Sequence, residues 1–145
     1  SLDTLRLMDG IVDIYMPDMK YSDPSVGKRL SLVEDYPSVN REAVKEMYRQ
    51  VGDLKMDRRG VAMKGLLVRH LVLPGGLAGS AEVARFLTRE ISSETYVNVM
   101  AQYRPEYRAD QYEGVERRPT PGEYVRAVRG FVDAGIHRLD ERYLL

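Results

Sequence analysis

The sequence predicts an α/β domain with a parallel sheet, because strand-like and helix-like segments alternate along the chain. A nearly continuous apolar run from Leu66 to Leu73 is typical of a strand buried on both faces of a parallel sheet. Helical stripes, with apolar residues three and four positions apart, separate this run from two other strand-like segments. Strand–helix–strand order implies crossover connections, and therefore parallel neighbours.

The first elements are predicted from β-branched residues, caps and periodicity. Residues Ile11 to Met16 predict a strand, and Asp23-Pro24 predicts the start of a short helix with proline at its first position. A longer helix is predicted from near Asn40, with Gly52 as its stop. The apolar stripe of that helix comprises Val44, Met47, Tyr48 and Val51.

Later segments continue the alternation. The polar residues 55–64 predict a loop, Ser80 is expected to cap a helix, and Tyr96 to Ala101 predicts a third strand. Residues 120–123 form a capping box that begins a last helix, which Gly135 ends. The predicted apolar faces are Val83, Phe86, Leu87 and Ile91 in the first of these helices, and Val125, Val128 and Val132 in the second.

Composition narrows the classes of function. Lys plus Arg and Asp plus Glu both number 22, which argues against a nucleic-acid partner. The chain has no Cys, so it can supply neither disulfides nor thiolate ligands for zinc or iron–sulfur. No apolar run is long enough to span a bilayer, so no membrane partner is expected. A cytoplasmic location is the expectation.

Candidate site residues lie where the predicted strands end, since ligands bind beyond the carboxyl ends of parallel strands. Asp18 and Lys20 share one face after the first strand, and could hold a zwitterion or form an ordinary solvated pair. Arg69, within the apolar run, must pair with a carboxylate of the sheet or bind one from a ligand. His70, on the opposite face, is predicted to be a packing residue.

Three further features could bind ligands. Asn98, Met100 and Gln102 share a face and would suit a flat heterocycle or ordinary core packing. The glycine-rich turn at residues 74–80 leads into a helix and could bind anions, although it matches no nucleotide fingerprint. Residues 102–112 interleave Tyr and Arg, but they also carry acids, so a substrate-side loop or lid is favoured over a nucleic-acid surface.

Three segments together resemble the C-terminal half of radical S-adenosylmethionine enzymes, especially the pyruvate formate-lyase activating enzyme family. They are VDIYMPDMKY at residues 12–21, LVRHLVLPG at 67–75 and YVNVMAQY at 96–103. The resemblance rests on the order and spacing of these segments over residues 5–138.

The resemblance implies a partial TIM-type barrel, in which this chain supplies about three parallel βα units of a (β/α)6 barrel. It also implies S-adenosylmethionine and a [4Fe–4S] cluster as cofactors, and a 5′-deoxyadenosyl radical that abstracts hydrogen from a glycyl-radical enzyme or another protein. No catalytic residue and no metal ligand is assigned to this chain. The implied cofactor-binding residues are Asp18, Lys20, Arg69, Leu71, Met100, Gln102 and Tyr103.

The family's cluster motif, three cysteines spaced CxxxCxxC, does not occur in these residues. Residues 1–145 are therefore expected to form one partial domain, inactive without an N-terminal cluster-binding half. Exposed strand edges of such a half barrel would favour self-association. The alternative is a stand-alone α/β binding or interaction module without catalysis. An aldolase- or epimerase-like barrel piece is a third possibility, but no catalytic lysine or acid pair can be nominated for it.

Overall fold

The computed structural model of the chain describes residues 1–31, 35–105 and 113–140, which contain five α-helices and five strands. The helices are α1 (Leu2–Leu7), α2 (Pro24–Ser31), α3 (Tyr36–Val51), α4 (Ser80–Phe86) and α5 (Pro121–Asp133). The strands are β1 (Ile14–Tyr15), β2 (Lys55–Met56), β3 (Ala62–Leu71), β4 (Tyr96–Met100) and β5 (Arg138–Leu139). A 3₁₀ turn (Pro74–Gly76) precedes α4, and a π-helical turn (Leu87–Ile91) follows it.

Four strands form a parallel sheet in the order β1-β3-β4-β5, which confirms the α/β class and the parallel sheet. Strand β3 is central, with Ile14 opposite Gly65 on one side and Leu67 opposite Tyr96 on the other. Strand β2 is not part of this parallel order and pairs antiparallel with the beginning of β3. Strands follow chain order across the parallel part of the sheet, so each crossover joins neighbours.

One face of the sheet is covered by helices and carries the hydrophobic core. We call it the covered face and define it by Val68, His70, Val97 and Val99, which are all buried. Val44 of α3, Leu87 after α4, and Phe131 of α5 belong to the same buried cluster, with exposed fractions of zero. The helices therefore stabilise the sheet by removing this face from water.

The opposite face, which we call the open face, carries Leu67, Arg69, Asn98 and Met100, all partly exposed. The expectation that the run from Leu66 to Leu73 is buried on both faces is therefore wrong. Its continuous apolar character has another reason. Alternate residues of the run, such as Val68, pack in the core. The intervening Leu67 and Leu71 lie on the open face and are partly exposed.

Several helix predictions are confirmed in type and corrected in detail. Helix α3 begins at Tyr36, four residues before Asn40, and ends where Gly52 adopts a φ of 70°. In α5, the capping box of Thr120 and Glu123 is present. The predicted valine face of α5 is wrong for Val125 and Val132, which are both 54% exposed, and is confirmed only for Val128, which packs against the core. Residues of α5 that belong to or pack against the core are Tyr124, Ala127, Val128 and Phe131.

The strand boundaries also differ from the prediction. The first strand is shorter than expected, because Ile11 and Val12 donate backbone hydrogen bonds to the Met8 carbonyl in a turn after α1. Residues 55–64 are not a loop but a short antiparallel hairpin, in which Asp57 accepts bonds from two backbone amides of the turn. Tyr96 to Met100 confirms the third predicted strand.

Among the described residues, no helix combines the length and the apolar character that crossing a membrane requires.

Candidate functional site

A row of polar side chains crosses the open face near the carboxyl ends of four strands. Asp18 and Arg69 form an isolated parallel β-bridge, and Arg69 lies opposite Asn98 in the register of β3 and β4. Asp140 follows Leu139, the partner of Val97, so it stands level with Asn98 on the next strand. We call Asp18, Arg69, Asn98 and Asp140 the polar row. Parallel pairing alone brings these four residues, distant in sequence, to one line.

The ion pair in the polar row is loose and accessible. Arg69 Nε lies 3.3 Å from Asp18 Oδ1, and the two side chains are 43% and 42% exposed. Despite this distance, the buried Oδ1 atom of Asp18 makes no hydrogen bond to any described residue, and neither does the buried Oδ1 of Asn98. Buried acceptors of this kind normally find a donor. The row thus offers two acceptor oxygens beside a guanidinium, a pattern that suits a ligand with hydroxyl or amino groups.

The backbone of Asp18 is held firmly, which fixes the place of its carboxylate. Its carbonyl accepts bonds from Asn40 Nδ2 at 2.9 Å and from the Tyr36 hydroxyl at 3.3 Å. The next residue, Met19, donates its amide to the Arg69 carbonyl at 2.9 Å and buries its side chain on the covered face. Burial raises the pKa of Tyr36, so its hydroxyl remains a donor near neutral pH.

A pocket of about 380 Å³ opens on this face and includes three members of the polar row, Arg69, Asn98 and Asp140. Sequence reasoning did not identify Asp140, because β5 is only two residues long and lacks a periodic pattern. The run His137-Arg138-Leu139-Asp140 shows no alternation of polar and apolar residues that could have revealed this strand. The other lining residues are Met16, Leu54, Met56, Gly60, Ala62, Leu67 and Tyr96.

The remaining predicted binding residues are divided by the structure. Leu71 and Met100 are partners in the register of β3 and β4, two residues beyond the polar row and on the same face. The Lys20 side chain is exposed, and its backbone amide donates to the Tyr36 hydroxyl. Gln102 is exposed beyond the end of β4. Tyr103 is partly buried and donates its hydroxyl to the Val115 carbonyl at 2.7 Å, a structural contact.

His70 lies on the covered face as predicted and is fully buried. Its Nδ1 is 2.7 Å from the Met19 carbonyl, which can only accept, so Nδ1 carries the proton. Nε2 therefore accepts from the Ser80 hydroxyl at 2.8 Å. Burial lowers the pKa of His70 to about 4, partly offset by its bond to Met19. Ser80 was expected to cap α4, but its side chain makes no capping bond. It connects the helix to the sheet through His70 instead.

The glycine-rich turn borders a second cleft, of about 490 Å³, between the beginnings of α4 and α5. An internal carboxylate already uses part of its anion-binding capacity, since Gly75 donates its amide to Glu123 at 2.9 Å. Arg117 also binds Glu123 through two nitrogens. The bonds from Arg117, Gly75 and Thr120 hold the pKa of Glu123 far below its usual range. This cleft is therefore a weaker candidate than the open face.

No group of three His, Asp or Glu side chains suited to a metal ion occurs in the parts of the chain that the structure describes. Most of the Tyr–Arg stretch, from residue 106 to residue 112, lies outside the described residues.

Comparison with known proteins gives one curated relative, the uncharacterized protein MJ0674 of Methanocaldococcus jannaschii. It is 31% identical over 129 residues, which are 88% of this chain and 34% of the relative. The chain thus spans about a third of the length of the curated relative it matches. No family model matches the chain, and no solved structure matches it significantly.

Proposed function

We propose that this chain is the cofactor-flanking C-terminal part of a radical S-adenosylmethionine enzyme of the glycyl-radical activating type. The observation that carries the proposal is the polar row with its two unsatisfied acceptors. It lies on the open face, and three of its four residues, Asp18, Arg69 and Asn98, belong to the three segments that resemble that family. The finer fold proposed is about three βα units of a (β/α)6 barrel, with the open face toward the interior.

Two features of the sheet support a partial barrel. Its parallel strands follow chain order, whereas a doubly wound sheet reverses order at a switch point. The described core lies on the covered face, as in barrels whose helices form an outer ring. About two thirds of the Methanocaldococcus jannaschii relative lies outside the match, which leaves room for a second half in such a protein.

The residues present fit S-adenosylmethionine. Asp18 and Asn98 offer acceptors to ribose hydroxyls or the methionine ammonium, and Arg69 offers a guanidinium to the methionine carboxylate. Leu71 and Met100, adjacent on the same face, would flank the adenine, as the resemblance implies. The exposed Lys20 and Gln102 would have to approach the cofactor from the rim. In the proposed enzyme, the bound cofactor supplies the radical chemistry, and these residues bind and orient it.

The same residues do not fit the iron–sulfur cluster. Thiolates are the usual cluster ligands, and the chain has no Cys. The described residues also contain no cluster of His and carboxylate side chains that could replace them. Any cluster must therefore be held by residues beyond these 145, and the activity of a complete protein would depend on both parts.

The test is to express a longer protein that joins this chain to a cysteine-containing half and to reconstitute its cluster anaerobically. Binding of S-adenosylmethionine by equilibrium dialysis and formation of 5′-deoxyadenosine are then measured. Arg69→Leu should weaken binding about 10-fold or more, whereas Arg129→Leu, an exposed cation of α5, should leave it unchanged. A fully loaded cluster that yields no 5′-deoxyadenosine would show that the proposed activity is wrong.

A second candidate is a stand-alone α/β binding module. It is favoured by the core, which closes over the covered face without help from outside these residues. This module should be monodisperse and stable as the isolated chain, with Asp18, Lys20 and Arg69 dispensable. A half barrel should instead self-associate through its open face and edges. Size-exclusion chromatography combined with thermal unfolding of the 145-residue chain separates the two.

A further inference from the structure

The hairpin at residues 55–64, which we call the basic hairpin, is strongly cationic in a chain of zero net charge. It contains Lys55, Arg58, Arg59 and Lys64, all exposed, and one acid, Asp57. The Asp57 carboxylate stabilises the turn, because it accepts hydrogen bonds from the backbone amides of Arg59 and Val61. Its contact with Arg59 Nε is long, at 3.7 Å, so it neutralises the cations poorly.

The placement of two of these cations is unfavourable to the fold. Lys55 lies directly opposite Lys64 in the antiparallel register. Like charges at opposed positions of a sheet are destabilising. No carboxylate of the described residues forms an ion pair with Lys55, Arg58 or Lys64. The fold therefore tolerates a charge cluster that does not stabilise it, which is the pattern of a surface kept for a partner of opposite charge.

The basic hairpin also carries exposed apolar side chains. Met56, Val61 and Met63 are 39%, 51% and 57% exposed. No aromatic residue occurs in residues 55–64, so the basic hairpin offers bases nothing to stack on. A mixed basic and apolar surface without aromatic residues suits a polypeptide better than a single-stranded nucleic acid.

The basic hairpin also borders the candidate site. Met56, Gly60 and Ala62 line the same pocket as Arg69 and Asn98. A segment bound along the hairpin would therefore lie at the mouth of that pocket, within reach of whatever the polar row holds.

We infer that the basic hairpin is the docking site for an acidic polypeptide segment with apolar side chains, which it presents to the open-face pocket. The docking itself stands on the hairpin alone, whereas the view that the bound segment belongs to a protein substrate rests on the proposed function. The recognition combines charge complementarity with burial of Met56, Val61 and Met63.

The test uses the 145-residue chain and three fluorescent probes in anisotropy titrations at low and physiological salt. Two are synthetic peptides of equal negative charge, one with glutamate and leucine and the other with glutamate and serine. The third is a single-stranded DNA oligonucleotide of similar length. The variants are Lys64→Glu in the hairpin and Arg129→Glu on α5, which make the same change in net charge at exposed positions.

The leucine-containing peptide should bind more tightly than the serine peptide. Lys64→Glu should weaken this binding about 10-fold, and Arg129→Glu by less than about twofold. Lys64→Glu should also leave the chain folded with a slightly raised Tm, because it replaces a repulsive cross-strand pair with an attractive one. A loss of binding can then not be ascribed to unfolding.

Three outcomes would overturn the inference. The wild-type chain could bind neither peptide, or the two charge reversals could weaken binding equally. The oligonucleotide could also bind more tightly than the peptides in a way that Lys64→Glu abolishes. None of these measurements requires S-adenosylmethionine or a cluster. Failure of the docking is therefore distinct from failure of the proposed function, which is judged by cofactor binding and 5′-deoxyadenosine.

Discussion

Adjacent residues of the same strands lie in two different environments. On the covered face, Val68 and Val97 have no exposed surface and contact the helices. On the open face, their neighbours Arg69 and Asn98 are partly exposed, and the pocket lies over them. Strand geometry alternates side chains between these faces, so one backbone supports both a core and a polar surface.

Burial in the core explains the residue types on the covered face, but it does not explain the polar residues on the open face. Apolar burial on the covered face is worth about 25 cal/mol per Å² removed from water, and it accounts for the residues chosen there. Burial does not explain the polar row in this way, because an accessible ion pair adds little stability, and the buried Oδ1 atoms of Asp18 and Asn98 find no hydrogen-bond donor among the described residues. Ligand binding, as proposed above, would account for polar residues at these positions.

The largest expected effect is on the covered face, where Phe131 of α5 is fully buried beside His70. Phe131→Ala should lower the free energy of unfolding by about 3–5 kcal/mol, because it removes a ring and leaves a cavity. Leu67→Ala, on the open face, should cost about 1 kcal/mol or less. Urea denaturation followed by circular dichroism measures both. Equal losses would mean that the open face is covered in solution, for example by self-association.

The sequence predicted the parts of the molecule that depend on local pattern. The strand at Tyr96 to Met100 and the capping box at Thr120 were correct, since periodicity and cap chemistry are local properties. The valine face of α5 was wrong at Val125 and Val132 because the helical pattern admits two stripes, and packing against the core selects the one that contains Phe131 and Val128. The prediction of a loop at residues 55–64 failed because an antiparallel partner, not propensity, makes that segment a hairpin.

The candidate site was predicted only in part, for a related reason. Asp18 and Arg69 were found because each follows or interrupts a recognisable strand. Their ion pair and its alignment with Asn98 depend on register, which pairs residues 51 and 29 positions apart and leaves no local signal. Asp140 joins the row through a two-residue strand that no periodicity can reveal.

The next effect concerns pH and His70. The folded state holds the pKa of this imidazole at about 4, against 6.5 for an ordinary histidine. Between about pH 6.5 and pH 4, His70 is therefore protonated in the unfolded chain but neutral in the folded chain. The contribution of the neutral His70 to the free energy of unfolding is complete above pH 6.5. It decreases by at most about 3 kcal/mol as the pH falls toward about 4.

His70→Gln should remove this part of the pH dependence. The variant should be less stable than the wild type at pH 7.5, and the difference between them should narrow as the pH is lowered to 4.5. His137→Gln is the control, because His137 is exposed and, among the described residues, its imidazole contacts Glu94 on the surface. The measurement is urea unfolding at several pH values. A wild type and a His70→Gln variant with parallel pH profiles would contradict the assignment of a buried neutral imidazole.

The smallest expected effect is on the open face, where a double-mutant cycle can measure the Asp18–Arg69 pair. With side chains 42% and 43% exposed, the coupling between Asp18→Asn and Arg69→Leu should be less than about 1 kcal/mol and should decrease with salt. The pair of Lys45 and Glu90, at 3.2 Å with side chains 39% and 49% exposed, is the matched control and should couple equally weakly. A coupling of Asp18 and Arg69 well above that of the control would make the polar row a structural device. A coupling equal to the control would mean that the ion pair itself adds little to stability, as the proposal that these side chains bind a ligand requires.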